Sequence, residues 1–536
     1  MALASDPTMS LALGLTPDVR RAVEARDPAT GVVWRSFECA SVQDVARAVE
    51  RARAAQPAWG ALGPRERARA IERFRRVLYR RRAEVAELIC RENGKPPAEA
   101  MAAEVMLVLD FARYYRKRAP RLLRARSLTP SNMAFWRKRV RITHEAFGVI
   151  GVISPWNYPF MLAAAQVLAA LAGGNAVVLK PSEFTPATGE MLGLLLREAG
   201  VPANVMQVVT GDGSAGAALV ESGVDKLFFT GSNATGQRVA LACAARMIPC
   251  VLELGGSDPA IVLDDAHLAN TASGIAWARF SNAGQTCVAP KRVFVVDAVY
   301  DAFLARLATT VAALKVGAGA TSGTDVGPMI RPQQRAVLEA QLADALARGA
   351  RVVATARHEA AGDDGFFPPT VLADVTPEMR VMREETFGPL LPVVRVRDAD
   401  DAVRQANASP FGLSASVWGR DTRRAARVGE GIQAGSVTIN DAIIQAGMAD
   451  APHGGVKQSG MGRSHGEAGL LECVQTKTVI VDLLPNVREP WWFGYGAEQA
   501  KGLDAFVRMW HAPSILERAG GVWRSIRMLV RHDRRL

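Results

Sequence analysis

Cysteine is scarce in this chain: six residues in 536, at positions 39, 90, 243, 250, 287 and 473. None stands in a C-x-x-C pair or in a Cys/His cluster, which argues against a disulfide framework and a zinc site and predicts a reducing compartment with no bound metal. Basic residues are missing from the N-terminus until Arg20, so no charged secretory leader is expected and a cytoplasmic location is. Long apolar runs are nearly missing too. One run, Phe160 to Leu179 (FMLAAAQVLAALAGGNAVVL), has the length of a membrane span, but Gln166, Gly173-Gly174 and Asn175 interrupt it. That composition predicts a buried helix, a turn and a parallel strand instead. The formal charge of +12 invites nucleic acid, yet no nucleic-acid-binding module accompanies the basic clusters at 73–82, 113–126 and 135–141. Acidic residues close to the first cluster mark a solvated amphipathic helix, and no nucleic-acid partner is expected.

What is present is an ordinary globular composition, 49% hydrophobic and 22% charged, in a chain long enough for about two to four domains. Helical spacing of apolar residues runs through 43–57 and 64–92. From residue 146 short apolar runs recur (GVIGVIS, NAVVLK, VMQVVTG, KLFFTGS, AIVLDD) with helical stretches between them. This is the pattern of α/β units around a parallel sheet. A second set of runs after Cys287 (RVFVV, ARVVATA, LPVVRV, SASVWG, GSVTIN) predicts a second domain of like build.

The stretch FSNAGQTC, Phe280 to Cys287, places a cysteine behind Asn282, Gly284, Gln285 and Thr286, residues that read as a loop rather than as core. Structural cysteines usually pack in apolar runs, whereas reactive residues gather on loops held by a scaffold. Two glycine turns follow apolar strands. GDGSAG (211–216) matches a dinucleotide fingerprint, but position 236, where an acidic residue is sought, is glycine, so this turn is expected to make no phosphate contact. In FFTGSNATG (228–236) a helix N-terminus and the Ser232 hydroxyl are placed to meet a pyrophosphate.

Further motifs fall in a fixed order: PWNYPF (155–160), KPSEFTP (180–186), FTGSNATG (229–236), ELGGSDP (253–259), FSNAGQTC (280–287), EETFGP (384–389) and GGVKQSGMGR (454–463). Together, over roughly residues 20 to 484, they make the chain resemble the NAD(P)-dependent aldehyde dehydrogenase superfamily. The resemblance implies an α/β fold with a Rossmann-like cofactor domain, an α/β catalytic domain and a small β oligomerisation element. It implies that Cys287 attacks the aldehyde, giving a thiohemiacetal and, once hydride has left, a thioester. The Asn157 side chain and the Cys287 backbone N–H would hold the oxyanion. Glu253, which follows an apolar run, would be the base for the deacylating water, with a raised pKa. Lys180 and Glu183 would meet the adenosine ribose, Glu385 and Phe387 the nicotinamide ribose and ring, and Trp156 and Ser232 the adenine and pyrophosphate path. Because Glu183 would accept from a 2′-hydroxyl and repel a 2′-phosphate, NAD is expected ahead of NADP.

Departures from the family bear on substrate. Ser257 stands where many members have lysine, and His453 of APHGG stands where many have phenylalanine; His453 is expected to line the pocket as a polar group. Ala165 matches the position where members acting on succinic semialdehyde often carry an arginine that grips the distal carboxylate. Leu162 and Ala165 then predict an apolar, open tunnel and a medium-chain aliphatic or aromatic aldehyde, with semialdehyde oxidation as the alternative. Other classes are a CoA-acylating relative, a non-catalytic scaffold and a cysteine hydrolase. Glu253 counts against the first, the intact Cys287, Asn157 and Glu253 against the second, and the cofactor positions against the third.

The family fold assigns residues 20–125 and 147–255 to the cofactor domain, 256–465 to the catalytic domain, and 126–146 with 470–484 to oligomerisation strands. Their open edges predict a homodimer or homotetramer. Residues 485–536 form a basic extension with Trp491, Trp492, Trp510 and Trp523. Its last part can be drawn as an amphipathic helix of the kind that lies on anionic membranes. Gly520-Gly521 weakens that helix, and packing on its own or a neighbouring subunit is the preferred expectation.

Overall fold

The computed structural model describes residues 21–132, 135–321, 323–358, 365–489, 491–493, 495–522 and 525. The N-terminal stretch through Arg20, Trp523 and the closing 526–536 lie outside them, and with these the expectations placed there. The chain divides into two compact units, Met1–Arg124 with His144–Gln475 and Ala125–Thr143 with Thr476–Leu536. The stretches read from sequence as cofactor and catalytic domains thus fall in one unit, as two sheets. The other unit joins the small β element to the C-terminal extension.

In the first unit, a six-stranded sheet runs in the order Gly460–Met461, Cys250–Glu253, Lys226–Thr230, Val149–Ile153, Ala176–Lys180, Met206–Val208. Its strands are parallel except for Gly460–Met461, which pairs antiparallel with Cys250–Glu253. The strands at 149–153, 176–180 and 226–230 are buried at every position, as continuous Val/Leu/Phe runs must be when both faces are covered. The run at 160–179 resolves as the sequence predicts: helix Met161–Gly173 is wholly buried, Gly174 turns at φ 96°, and the strand Ala176–Lys180 follows. Asn175 holds this corner, donating from its side chain to the carbonyls of Ala170 (3.0 Å) and Cys473 (2.8 Å). Buried polar groups need such partners.

The second sheet has seven strands, Arg351–Thr355, Thr370–Ala373, Leu390–Val396, Pro290–Val296, Asp258–Val262, Ser414–Trp418 and Ser436–Ile439, in that order. All neighbours are parallel except the first pair. The helical stretch expected at 64–92 is two helices, Pro64–Arg80 and Arg82–Asn93, broken at Arg81.

The second unit holds a three-stranded sheet in the order Val474–Asp482, Lys138–Ala146, Arg126–Leu128. Arg137 and Lys138 clasp Asp482 and Glu489, with Arg137 to Glu489 at 2.7 Å and Lys138 to Asp482 at 2.7 Å. Phe135 meets Trp491 edge-on, with centroids 5.5 Å apart. The extension is therefore tied to the small sheet, and it continues as helix Ala497–His511 and a helical stretch at 515–522. Among the described residues no helix is long and apolar enough to cross a membrane.

Candidate active site

The strand Val149–Ile153 sits between Ala176–Lys180 on one side and Lys226–Thr230 on the other. Chain order reverses at this strand, so the connections leaving its carboxyl end diverge and open a crevice, the place where open α/β sheets bind ligands. Ile153, Lys180, Thr230 and Glu253 each end a strand, and all four line a cavity of about 600 Å³. Trp156, Asn157, Glu183 and Ser232 line it as well, together with Cys287, Glu385 and Phe387. Every site residue expected from sequence is thus in one cleft.

Details of that cleft follow from local structure. Ser232 caps helix Asn233–Ala245, its hydroxyl accepting from the Thr235 N–H, and the free N–H groups of such a helix start favour an anion. Lys180, buried to 4% exposure, lies 3.4 Å from the more open Glu183. Trp156 and Phe387 meet edge-on at 5.4 Å and 89°. Glu385 accepts from the Gly256 N–H at 3.1 Å. The turn at 211–216, expected to stay away from phosphate, contributes Gly213 and Gly216 to the wall. It begins a second helix, Gly213–Glu221, capped by Asp212.

A second cavity, about 700 Å³, is lined by Tyr158, Met161, Leu162, Trp277, Val288 and His453 among others. Its wall is mainly apolar, as expected, and Leu162 belongs to it. Ala165 does not: its short side chain is 1% exposed, packed into the core one turn further along the helix. Arg113 and Lys117 line the same cavity, exposed on helix Leu107–Leu122. Cys287 lines both cavities.

The loop that delivers Cys287 is strained and heavily braced. Asn282, Ala283 and Gly284 follow one another with φ of 52°, 53° and 72°, and left-handed backbone at non-glycine positions costs about 1–3 kcal/mol each. Gly284 has no alternative, since a Cβ there would come within 2.5 Å of the Gly388 backbone. Glu99 accepts from the Asn282 N–H at 3.1 Å, and the Asn282 side chain donates to the Asn157 carbonyl at 2.8 Å. Gln285 donates back to the Asn282 carbonyl at 2.8 Å and accepts from the Ile330 N–H at 3.0 Å. Buried Arg279 reaches the carbonyls of Gly284, Thr386, Gly388 and Leu390. The Asn157 side chain donates one N–H to the Gln285 carbonyl at 2.9 Å, leaving its other N–H for an oxygen beside the sulfur. The Cys287 backbone N–H has no acceptor among the described residues.

Electrostatics at the site are set by burial. Desolvation pushes the Cys287 thiol up to about 12, while the Lys291 ammonium opposes it. Lys291 donates to the Cys287 carbonyl at 2.5 Å and lies 3.7 Å from Glu385. Burial also pushes Glu253 up to about 8, against a 2.9 Å hydrogen bond from the Ser464 hydroxyl. The raised pKa expected for this carboxylate is therefore present, and desolvation is its main cause.

Several supporting residues escaped sequence reasoning. Lys95 and Glu104, with fully buried side chains, pair at 2.7 Å, and Lys95 also donates to the Asn157 carbonyl at 2.9 Å. Glu104 then accepts the N–H groups of Phe160 and Met161 at 3.0 and 2.8 Å, orphan donors at the start of the helix that follows Asn157. Removing one partner of such a pair typically costs about 3–5 kcal/mol. The signal for Lys95 was the charged turn ENGKP at 92–96, which composition alone reads as surface.

The family model described as "Aldehyde dehydrogenase family" matches residues 16–479. A 4,4'-diapolycopene aldehyde oxidase of Methylomonas sp is 38% identical, over 90% of this chain and 90% of its own. A succinate-semialdehyde dehydrogenase [NADP(+)] of Escherichia coli (strain K12) is also 38% identical, over 86% of this chain and 95% of its own. The crystal structure of a Mycobacterium tuberculosis aldehyde dehydrogenase complexed with NAD+ superposes with a TM-score of 0.82, at 33% identity, over 90% of this chain and 97% of its own. The chain belongs to the aldehyde dehydrogenase family.

Proposed function

We propose that this aldehyde dehydrogenase oxidises an aldehyde with an apolar tail to its carboxylic acid, with NAD as hydride acceptor and Cys287 as nucleophile. The observation that carries this reading is the position of Cys287 in both cavities. A sulfur there reaches an aldehyde entering from the apolar side and presents its hydrogen to a cofactor held on the other.

The residues of the first cavity suit a dinucleotide. Two helix starts, at Gly213 and Asn233, flank it. Lys180 and Glu183 offer a donor and an acceptor for ribose hydroxyls, Ile153, Phe229 and Val239 give an apolar wall for a base, and Glu385 and Phe387 lie towards Cys287. Bound there, the nicotinamide supplies the hydride acceptor. Relatives named as NADP(+) enzymes make NADP a second candidate, and Glu183 favours NAD by repelling a 2′-phosphate.

The Cys287 thiol gives its proton to solvent in the cleft, its sulfur attacks the carbonyl carbon, and the Asn157 amide and the Cys287 N–H steady the resulting oxyanion. Once hydride leaves, the acyl group remains on sulfur as a thioester. Glu253 takes a proton from water, the water oxygen attacks the acyl carbon, and the C–S bond breaks with its electron pair on sulfur. Residues 20–125 with 147–255 act as the cofactor domain and 256–465 as the catalytic domain. The enzyme works as a cytoplasmic homo-oligomer, joined through the exposed strand Val474–Asp482 at the edge of the small sheet.

A second reading, oxidation of a carboxylate-bearing semialdehyde, is favoured by Arg113 and Lys117, which line the apolar cavity without an ion-pair partner among the described residues. Several relatives are named for succinate or glutarate semialdehyde. Mixing the enzyme with NAD, linear aldehydes of rising chain length and the two semialdehydes, while following nicotinamide absorbance, separates the readings. Rising kcat/KM with chain length is expected. Preference for the semialdehydes, lost in Arg113→Ala with Lys117→Ala, would establish the second; no turnover with any aldehyde would remove both.

A further inference from the structure

Glu253 and His453 belong to different cavities that share Cys287: Glu253 lines the cofactor side and His453 the apolar side. Between the cavities the two side chains are neighbours. His453 and Ser464 form an isolated antiparallel bridge, each N–H donating to the other's carbonyl at 2.7 Å. That bridge aims both side chains at one carboxyl group. The Ser464 hydroxyl donates to Glu253 Oε1 at 2.9 Å, and His453 Nε2 lies 3.8 Å from Oε2. Among the described residues Glu253 Oε2 has no hydrogen-bond partner, nor has His453 Nδ1, and both residues are buried. Buried polar atoms without partners are uncommon enough to require a reason.

We propose that His453 takes up the proton that Glu253 removes from the deacylating water and carries it to the apolar cavity, away from the bound cofactor. The proposal rests on the reading of Glu253 as the base. Water loses one proton to Glu253 Oε2, its oxygen bonds to the acyl carbon, and the C–S bond breaks with the electron pair on Cys287. The proton then moves from Glu253 Oε2 to His453 Nε2 and leaves from that same nitrogen to water in the apolar cavity, so the imidazole returns to its Nδ1–H tautomer and Glu253 is ionised for the next turnover. His453 acts through Glu253 and is a positioning residue for its proton.

The surroundings fit a neutral carrier. Burial holds His453 down to about 4, with the nearby Arg463 adding to the effect, while Glu253 sits up at about 8. Arg463 itself faces the carbonyls of Gly455 and Gly462. His465 stacks on His453 at 5.4 Å and packs on Phe111 at 4.5 Å, and burial keeps it neutral. The Cys287 thiol also feels Glu253. The proton therefore moves uphill onto the imidazole, which holds it only until water in the apolar cavity takes it.

The test uses the full-length enzyme, NAD and an aldehyde that gives wild type a burst of reduced nicotinamide. In His453→Phe, His453→Gln and His453→Ala the burst amplitude should stay within about twofold, because acylation does not use the relay, while steady-state turnover falls by about 10- to 100-fold. Added imidazole should then restore His453→Ala, saturably and by at least about fivefold, without helping Glu253→Gln. Near-wild-type turnover in His453→Gln, loss of the burst in all three variants, or absence of rescue with an intact burst would each overturn the relay. If Glu253→Gln itself turns over normally, the base assignment fails first and the relay with it, so the two failures are told apart.

Discussion

The two cavities that meet at Cys287 differ in what they ask of a side chain. The cofactor cleft needs hydrogen-bonding groups and helix starts at fixed points, and strand ends supply them: Lys180 and Glu253 at carboxyl termini, Ser232 at a helix cap. The apolar cavity needs only bulk and greasiness, which Met161, Leu162, Trp277 and Val288 supply without geometric demand. The first cavity is therefore defined by polar groups at fixed points and the second by apolar bulk. His453, Arg113 and Lys117 are among the polar groups that break the apolar pattern of the second.

This contrast can be broken at its shared point. Cys287→Ala should abolish both dehydrogenase and esterase turnover while leaving NAD affinity near wild type, measured by titration of protein fluorescence. Residual turnover in a clean preparation would place the nucleophile elsewhere.

Glu253→Gln comes next. Steady-state turnover should fall by about 100- to 10,000-fold, with the acyl-enzyme still accumulating from a reactive aldehyde. Because the folded-state pKa is raised to about 8, the carboxylate that acts as base is half-populated there and predominates only at higher pH. Deacylation-limited turnover should therefore climb as pH rises through about 8 and level off beyond it, and the climb should vanish in the variant. A wild-type profile flat through this range would remove Glu253 from the step.

Asn157→Ala should cost about 100- to 1,000-fold in kcat with little change in nucleotide binding, as expected for one oxyanion donor. A loss confined to KM would mean that the amide only braces Gln285. Smallest is Glu183→Ser: the wild-type preference for NAD over NADP, about tenfold by charge repulsion at the surface, should narrow or reverse in kcat/KM. A wild type that prefers NADP would show that another residue sets the choice and that Glu183 points away from the ribose.

Much of this was legible in the sequence, for reasons visible in particular residues. The strands at 149–153 and 176–180 are buried on both faces, so their apolar runs could belong to little else. Cys287 was legible because polar loop residues surround it. Lys95, Glu104 and Arg279 were not, because a buried ion pair or a guanidinium serving four carbonyls looks in sequence like any surface charge. The fold brings residues separated by tens or hundreds of positions to each of them. Ala165 misled for the opposite reason: its alignment with a substrate position says nothing about whether a methyl group reaches the cavity.

One sulfur, that of Cys287, lines both cavities, and its acylation can be read directly. Glu253→Gln enzyme, mixed with NAD and a reactive aldehyde, quenched in acid and digested, can be read by peptide mass spectrometry. The acyl mass should appear on the peptide containing Cys287, in proportion to the reduced nicotinamide formed in the burst. Reduced nicotinamide formed with no acyl group on Cys287, or with the acyl group on another of the six cysteines, would contradict it.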